Sequence, residues 1–323
     1  QTHLRTRPIQ AGHLRAFEAV ARHLNFRLAA EEMALTQSAV SRQIQALEDE
    51  VGAPLFLRHT RAVELTAAGA LLLQAVAQAL PRIDTAVRQI RQSAGRRHVT
   101  VTTFASFASM WLIPRLEAFQ REFPDIDIRI EASDTMLDLE VADVDLAVRY
   151  APVARVPTGA RRLFGESVTV MASPWLLKAG PALRRPADVL QYTLIESGDA
   201  YAPHLAWLSW HRWLEANDLA KQQPKRWLTL NYAYQMVQAA LTGQGLVLAR
   251  PPLVADALAR GELVELLPQT RLHSPLAYWL MLAPRSAARP EVKAFADWVL
   301  AQAVATRQVI GEGDDPDLVN DLD

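Results

Sequence analysis

The most restrictive feature of the sequence is a pair of short helical patterns, joined by a tight turn, between Asn25 and Phe56. In the second pattern Val40, Ile44 and Leu47 are spaced by four and three residues, which predicts the buried face of a helix. Thr36 precedes this helix and is a good cap, because its hydroxyl can accept a hydrogen bond from a free backbone N–H. The residues expected on the inner face of the first helix are Leu28, Ala29 and Met33.

The outer face of the second helix carries hydrogen-bonding side chains and no acid before Glu48. These side chains are Gln37, Ser38, Ser41, Arg42 and Gln45. Arginine can bind guanine or phosphate, glutamine can pair with adenine, and serine can reach either base, so this face suits the major groove of DNA. Each residue alone could belong to a solvated polar face. The combination of a short helix, a tight turn and an acid-free second helix favours DNA binding.

A long helical pattern follows, from Ala67 to about Ser93. It carries an apolar stripe with alternating spacings of four and three, formed by Leu72, Val76, Leu80, Ile83, Val87 and Ile90. Few charges lie near the stripe, which favours pairing with a second helix; packing against its own domain is the alternative. Pro81 removes one backbone hydrogen bond within this helix, which predicts a kink.

Beyond Gly95–His98, which is typical of a hinge, strand-like runs alternate with helical ones. The predicted strands are Val99–Phe104, Ile126–Ser133, Val144–Tyr150, Glu166–Ser173, Tyr192–Ser197 and Gly245–Arg250. This alternation favours a parallel sheet covered by helices on both faces. The aromatic-rich stretch Asp199–Trp213 is interpreted as a packed helix, because Trp210, Trp213 and Leu214 lie at helical spacing. A lid or a pocket wall is the alternative.

Composition excludes several classes of function. The 323 residues suffice for two or three globular units, and no apolar run has the length of a membrane span. The absence of cysteine excludes disulfides, thiolate metal sites and cysteine nucleophiles, and is typical of the cytoplasm. There is no nucleophile elbow, phosphate-binding glycine loop or closely spaced metal-ligand set, and His204 and His211 have no carboxylate placed between them. We therefore expect no enzyme activity, catalytic residue, metal or cofactor.

The stretch LAAEEM…TQSAVSRQIQALEDEVGAPLF resembles, nearly residue for residue, the winged helix-turn-helix of LysR-type transcriptional regulators, and the likeness continues through Arg58–Gly69. The resemblance implies that the second helix enters the major groove through Gln37, Ser38, Ser41 and Arg42; Thr36 and Gln45 complete this candidate set. It further implies a wing that touches the DNA backbone or minor groove, formed by Arg58, His59 and Arg61. Thr66 is expected to cap the long helix.

One position departs from the family pattern. The family usually has Ser or Thr where this chain has Arg27, at the start of the first helix of the motif. Because a guanidinium cannot cap a helix as a hydroxyl does, we expect Asn25 to take over the cap. Arg27 is then a candidate DNA-binding residue that contacts phosphate through its charge.

From Val99 onward the sequence is similar to the two-lobed α/β effector domain of these regulators, which has the type II periplasmic-binding-protein fold. The subgroup with glycine-cleavage and β-lactamase regulators is the most similar, through SFASMWLIPRLEAFQREFPDIDIRIEAS, VDLAVRY and AALTGQGLVLARPPLVADALARGELV. The implied multidomain organisation is an α-helical winged helix-turn-helix over 8–66, a dimerising linker helix over 67–94, an effector domain over 95–305 and a disordered acidic tail over 306–323. Lobe 1 is expected at about 99–163 and 267–305, and lobe 2 at about 164–266.

A ligand in this fold lies between the lobes, at strand ends and helix N-termini. Ser106 and Phe107 open the first helix of the domain, where a hydroxyl and free N–H groups suit a carboxylate. The other effector-binding candidates are Asp134, Thr135, Asp138, Arg149, Asn231, Tyr232, Tyr234, Gln235 and Arg250. Structural alternatives remain open: the tyrosines can be core residues, and Arg149 can pair with Asp143 or Asp145. The resemblance favours a small polar or anionic effector.

The resemblance implies a cytoplasmic homodimer or homotetramer whose partners are double-stranded promoter DNA, a small-molecule effector and RNA polymerase, with no membrane. A ligand that binds one lobe arrangement better than another would change the spacing or bend of the bound DNA. A transport-type solute binder shares the sensor fold. It is disfavoured because the sequence has an N-terminal helix-turn-helix and no signal peptide.

Overall fold

A computed structural model describes residues 9–59, 62–135, 138–140, 143–198 and 206–313. The chain divides into two compact units between residues 94 and 95. Within the described residues, no helix combines the length and the apolarity that a membrane span requires.

The first unit is a three-helix core with a small β-hairpin and a long helix. Its elements are α1 (Ala11–His23), α2 (Phe26–Glu32), α3 (Gln37–Val51), β1 (Phe56–Arg58), β2 (Val63–Leu65) and α4 (Ala67–Ser93). The inward face of α3 is fully buried against α1 and the start of the hairpin, where Phe17, Val20 and Leu55 complete the core. The predicted buried face of α3 is therefore confirmed.

Side-chain caps set the starts of three helices in this unit. Asn25 accepts a hydrogen bond from the Leu28 N–H, Thr36 accepts one from Ala39 at 3.2 Å, and Thr66 accepts one from Gly69 at 2.9 Å. All three predicted caps are confirmed. The inner face of α2 differs from the prediction, because Phe26 and Ala30 are buried with Ala29, whereas Leu28 is exposed.

Helix α4 runs unbroken through Pro81 over 27 residues. Its apolar stripe divides into two parts: Val76 and Leu80 are 4% and 6% exposed and belong to the core of the first unit. Ile83, Val87 and Ile90 are 50%, 39% and 68% exposed. The stripe predicted as one pairing surface therefore packs on its own unit in its first half and leaves its second half open.

The second unit is built on a mixed sheet with nine strands among the described residues. They are β3 (Arg97–Thr103), β4 (Ile126–Ala132), β5 (Leu146–Ala151), β6 (Arg161–Ala172), β7 (Thr193–Ser197), β8 (Arg226–Leu230), β9 (Leu246–Ala249), β10 (Val264–Leu266) and β11 (Leu272–Leu282). The order is β4-β3-β5-β11-β6-β9-β7-β8, and β10 also pairs with β6. Strand β3 is parallel to β4 and β5, and β7 is parallel to β8 and β9.

The two long strands correct the prediction of a parallel sheet. Strand β6 is antiparallel to β11, β9 and β10, and β11 is also antiparallel to β5. Because β6 pairs with β11 between Arg161 and Val168 and with β9 through Thr169–Met171, it passes from one half of the sheet into the other. This is the two-lobed α/β architecture that the resemblance implied, with β6 and β11 crossing between the lobes. Strands β8, β10 and β11 were not predicted.

Helices cover both lobes. They are α5 (Ala105–Phe107), a π-helical turn (Ala108–Leu112), α6 (Ile113–Glu122), α7 (Pro174–Ala179), α8 (Trp210–Ala216), α9 (Ala233–Leu241), α10 (Pro251–Ala259) and α11 (Pro290–Ile310). Lobe 1 has a core around Trp111, Phe119 and Phe295. In lobe 2, Trp210 and Trp213 of α8 are fully buried, which confirms the packed helix predicted for that part of the aromatic stretch.

The end of α11 corrects the boundary of the predicted tail. Thr306 accepts a hydrogen bond from the Trp111 indole N–H at 2.9 Å, and the buried Arg307 donates one to the Leu163 carbonyl at 2.5 Å. Both residues are buried, and the carboxylate of Glu312 contacts β6. The prediction of disorder is therefore wrong for residues 306–312, and residues 314–323 lie outside the described residues.

Candidate DNA-binding surface and effector cleft

The outward face of α3 presents the predicted polar side chains. Gln37, Ser38, Arg42 and Gln45 are exposed, and Ser41 is half-buried. The hydroxyls of Ser38 and Thr36 lie 3.1 Å apart, and the Gln45 amide donates to Asp49 at 3.0 Å. Arg42 has no salt-bridge partner within the described part of the chain. This face therefore offers hydroxyl, amide and guanidinium groups at the positive end of a helix, which suits base edges and phosphates.

The hairpin after α3 provides a second basic element. Strands β1 and β2 are antiparallel, with Arg58 opposite Val63. The Arg58 guanidinium lies 4.5 Å from the centre of the Phe26 ring, a cation–π contact that orients it from α2. The His59 ring nitrogen lies 3.9 Å from a carboxylate oxygen of Glu64. The predicted wing residue Arg61 lies outside the described residues.

Arg27 lies on the exposed surface of α2. Its guanidinium forms an ion pair with Glu31 at 2.5 Å, with both side chains more than half exposed. An exposed pair of this kind contributes little free energy, so it does not prevent Arg27 from binding a phosphate. Since Asn25 caps α2, the position of Arg27 has no capping role.

The candidate effector cleft lies where the parallel strands of both lobes end. Here the two lobes contact each other directly, because the Tyr234 backbone N–H donates to the Ser106 hydroxyl at 3.3 Å. Met110, in the π-helical turn after α5, packs against the hydrophobic cores of both lobes. Ser106 was predicted to bind a ligand. Its side chain is buried, and its hydroxyl already accepts the hydrogen bond that joins the lobes.

Phe107 is a core residue. Its side chain is fully buried, and its ring stacks on Trp111 with the ring centres 4.9 Å apart. It also approaches Tyr278 of β11 at 5.7 Å. This corrects its prediction as a residue that faces the cleft: the helical turn directs Ser106 to the other lobe and the next side chain into lobe 1.

Arg149 organises the loop that follows β4. It is buried, and it donates to the carbonyls of Ser133 and Thr135 at 2.7 and 3.1 Å and to the Thr102 hydroxyl at 2.9 Å. Burial lowers the pKa of Arg149, and the charge of Asp134 opposes this shift. The structure does not support pairing with Asp145, one of the structural alternatives, since that carboxylate binds Arg289 at 2.8 Å.

The remaining lobe 1 candidates are exposed on or near this loop. Asp134 and Thr135 follow β4 directly, and the backbone N–H of Thr135 donates to the Ser133 hydroxyl at 3.2 Å. The Asp138 carboxylate accepts from the Glu140 N–H at 2.9 Å. Arg149 therefore binds the backbone of this loop from its buried side, and the Asp134 and Thr135 side chains remain exposed.

Lobe 2 contributes the residues around the start of α9. Asn231 and Tyr232 are exposed, and the rings of Tyr232 and Tyr234 stack with centres 5.5 Å apart. The Gln235 amide oxygen accepts from the Tyr232 N–H at 3.4 Å. Tyr234 and Gln235 also line a cavity of about 710 Å³ with Ser109, Met110 and residues of α10. The core alternative is therefore wrong for Tyr232, which is 37% exposed.

Arg250 is committed to a buried polar cluster between the lobes. Its guanidinium lies 3.7 Å from the carboxylate of Glu166 on β6, which also accepts a hydrogen bond from the Tyr278 hydroxyl. Burial raises the pKa of Glu166, and Arg250 and Tyr278 oppose that shift. Sequence reasoning missed Glu166 and Tyr278, although Glu166 is the single acid of β6, and that was the available signal.

The described residues contain no group of three His, Asp or Glu side chains placed to hold a metal ion. His211 lies 3.0 Å from a Glu196 carboxylate oxygen, and its ring stacks on Trp227. His204 lies outside the described residues.

Comparison with known proteins identifies both units. The family of bacterial regulatory helix-turn-helix proteins of the LysR type matches residues 11–70, and the LysR substrate binding domain matches residues 92–304. The glycine cleavage system transcriptional activator of Escherichia coli is 34% identical over 299 residues, which cover 91% of this chain and 94% of that protein. The chain belongs to the LysR family of transcriptional regulators. It is therefore a DNA-binding regulator with an effector-binding domain, in a family of transcription regulators and not of enzymes.

Solved structures of other LysR-type regulators agree with this assignment. The effector domain of AmpR from Pseudomonas aeruginosa is 28% identical, with a TM-score of 0.52 over 67% of this chain and all of that one. Vibrio fischeri DarR, solved in complex with DNA, is 19% identical, with a TM-score of 0.59 over 92% of this chain and all of that one. The second likeness shows the fold alone, and it extends over both units of this LysR regulator.

Proposed function

We propose that this LysR regulator recognises its promoter through the outward face of α3. The observation that carries the proposal is the exposed, acid-free set Gln37, Ser38, Arg42 and Gln45, opposite a fully buried inner face. Arg42 would contact guanine or phosphate, and Gln37 and Gln45 would pair with bases. Arg27, Thr36, Ser41, Arg58, His59 and Arg61 would contact the DNA backbone or the neighbouring groove.

The second half of α4 supports a dimer. Ile83, Val87 and Ile90 leave an apolar strip exposed where the rest of the stripe is buried. Pairing of two such strips would place two α3 helices on successive major grooves of a symmetric site. Contacts between effector domains would assemble two dimers into a tetramer on DNA, where RNA polymerase is the further partner. We place the protein in the cytoplasm.

The effector would bind between the lobes and replace their direct contact. Because Arg149 and Arg250 are committed to protein oxygens, the groups left for recognition are mainly hydroxyls, amides and aromatic faces. They are Ser106, Asp134, Thr135, Asp138, Asn231, Tyr232, Tyr234 and Gln235. This favours a small polar ligand recognised by hydrogen bonds. Its preference for one lobe arrangement would change the DNA complex by a coupling of about 1–3 kcal/mol.

The test is a titration of the purified protein on DNA beside its own gene, over a series of salt concentrations. We expect sequence-selective binding that weakens with salt, and an Arg42→Ala affinity lower by about 10- to 100-fold. Arg121→Ala, an exposed arginine on α6 paired with Glu117, is the matched control and should bind as the parent does. Equal DNA affinity of the parent and Arg42→Ala would show that Arg42 does not contact the DNA. Failure to select any genomic fragment would contradict DNA recognition by α3.

A further inference from the structure

A carboxylate just after α11 binds the backbone of β6, the strand that the two lobes share. The Gly165 N–H lies 3.0 Å and 3.1 Å from the two carboxylate oxygens of Glu312. The same carboxylate forms an ion pair with Arg162. Hydrogen bonds with a charged partner are about twice as strong as neutral ones, so this arrangement favours a carboxylate.

Gly165 leaves room for this arrangement because it lacks a side chain. A Cβ atom there would lie 2.7 Å from the Arg162 guanidinium and 3.1 Å from a Glu312 oxygen. Its backbone φ is outside the left-handed region, so the conformation itself does not require glycine. The glycine leaves this space to the Arg162 and Glu312 side chains, and we call Arg162 and the Gly165 N–H the hinge anion site.

The site lies four residues before Thr169, where β6 begins to pair with lobe 2. The regular register of β6 with β11 is interrupted opposite this point, between His273 and Ala277. Beyond it, from Thr169, β6 pairs with β9 of lobe 2. A group bound at Gly165 therefore contacts the strand that the two lobes share.

A cavity of about 460 Å³ adjoins the hinge anion site. Its lining includes Arg162, Gly165 and Glu312, and also apolar groups from both lobes and from α11. The apolar groups include Val153, Pro251, Pro252, Trp279 and Ile310. The cavity thus has room beside the carboxylate position for a small apolar body.

We propose that the hinge anion site is an accessory ligand site for small carboxylates with an apolar body, separate from the effector cleft. Glu312 occupies it as a tethered competitor, and an external carboxylate binds the same Arg162 and Gly165 groups when Glu312 leaves. Exchange releases the residues after α11 from β6 and so alters the strand that joins the lobes.

The test measures the melting temperature of the full-length protein in sodium benzoate, against sodium chloride at equal ionic strength. Glu312→Ala should lower the melting temperature in chloride by about 2–6 °C, because it removes a charged hydrogen-bonding partner. Benzoate should restore at least half of that loss. The parent should need a several-fold higher benzoate concentration for any rise, since Glu312 competes. Glu122→Ala, which removes an exposed acid on α6, is the matched control and should show neither effect.

Two double variants test whether benzoate restores the melting temperature by binding at the hinge anion site. Adding Gly165→Ala or Arg162→Gln to Glu312→Ala should abolish the benzoate effect, and the second retains the glycine if the first folds poorly. The proposal is overturned if benzoate fails to restore Glu312→Ala, because Glu312 is then only a structural contact. It is also overturned if benzoate raises every variant equally, because the effect is then a general one of the salt.

Discussion

Arginines that sequence reasoning assigned to ligands have different environments in the two units. Arg42 on α3 is exposed, whereas Arg149 at the end of β5 is buried and donates to three protein oxygens. Arg250, after β9, is held by Glu166. The outward direction of Arg42 follows from the buried residues of its own helix. The directions of the other two depend on strands that are distant in sequence.

The comparison shows which candidate residues local sequence can place. On a helix at the surface, the periodicity that predicts the buried face also predicts the exposed one. At a strand end, the nearest unsatisfied carbonyl or carboxylate decides where a guanidinium points, because a buried polar group without a partner is costly. A sequence prediction of an arginine in a cleft therefore requires its tertiary partners.

The largest effect is expected from the buried arginine. Arg149→Met should lower the free energy of unfolding by about 2–4 kcal/mol, because it leaves Ser133, Thr135 and Thr102 without their donor. Chemical denaturation of the full-length protein measures this. Arg42→Met is the matched control and should stay within about 0.5 kcal/mol of the parent. Similar losses in both variants would contradict the difference between the two units.

Helix α4 allows the same comparison, between a buried and an exposed side chain, within one helix. Val76→Ala should lower the free energy of unfolding by about 1–2 kcal/mol, since it removes buried methyl groups, and leave the dimer intact. Val87→Glu should weaken dimerisation at least tenfold and leave the monomer folded. Sedimentation over a concentration series, together with denaturation, separates the two outcomes. A dimer unaffected by Val87→Glu would exclude the exposed strip as the pairing surface.

A smaller effect is expected at the contact between the lobes. Ser106→Ala removes the acceptor of the Tyr234 N–H and should cost about 1 kcal/mol. It should also favour an open arrangement, which small-angle scattering would detect as a larger radius of gyration. Ser109→Ala, at a neighbouring position in the π-helical turn, is the control. An unchanged radius would mean that this hydrogen bond does not determine the arrangement of the lobes.

The smallest effect on a measured property is expected at Arg27, the residue that departs from the family pattern. Arg27→Ala should reduce the magnitude of the salt-dependence slope of DNA binding by about 1, and affinity by less than Arg42→Ala does. Asn25 still caps α2, so stability should not change. Parallel titrations of both variants over the same salt series measure this. A slope equal to that of the parent would exclude a phosphate contact by Arg27.

Much of the first unit follows from its sequence. Thr36 and Asn25 are capping residues at the right positions, and the spacing of Val40, Ile44 and Leu47 determines which face of α3 is buried. These features depend on residues within a few positions of each other, so their physical causes are local. The same reasoning predicted the packing of Trp210 and Trp213 on α8.

Only the tertiary structure decided how the second unit uses its polar groups. Phe107 faces the core although its neighbour Ser106 reaches the other lobe, and the extended strand β11 was not evident in the sequence. Glu312 and Gly165 meet across a sequence separation of 147 residues. A buried polar group binds whichever partner the packing of distant segments brings within reach. Local periodicity carries no information about that partner.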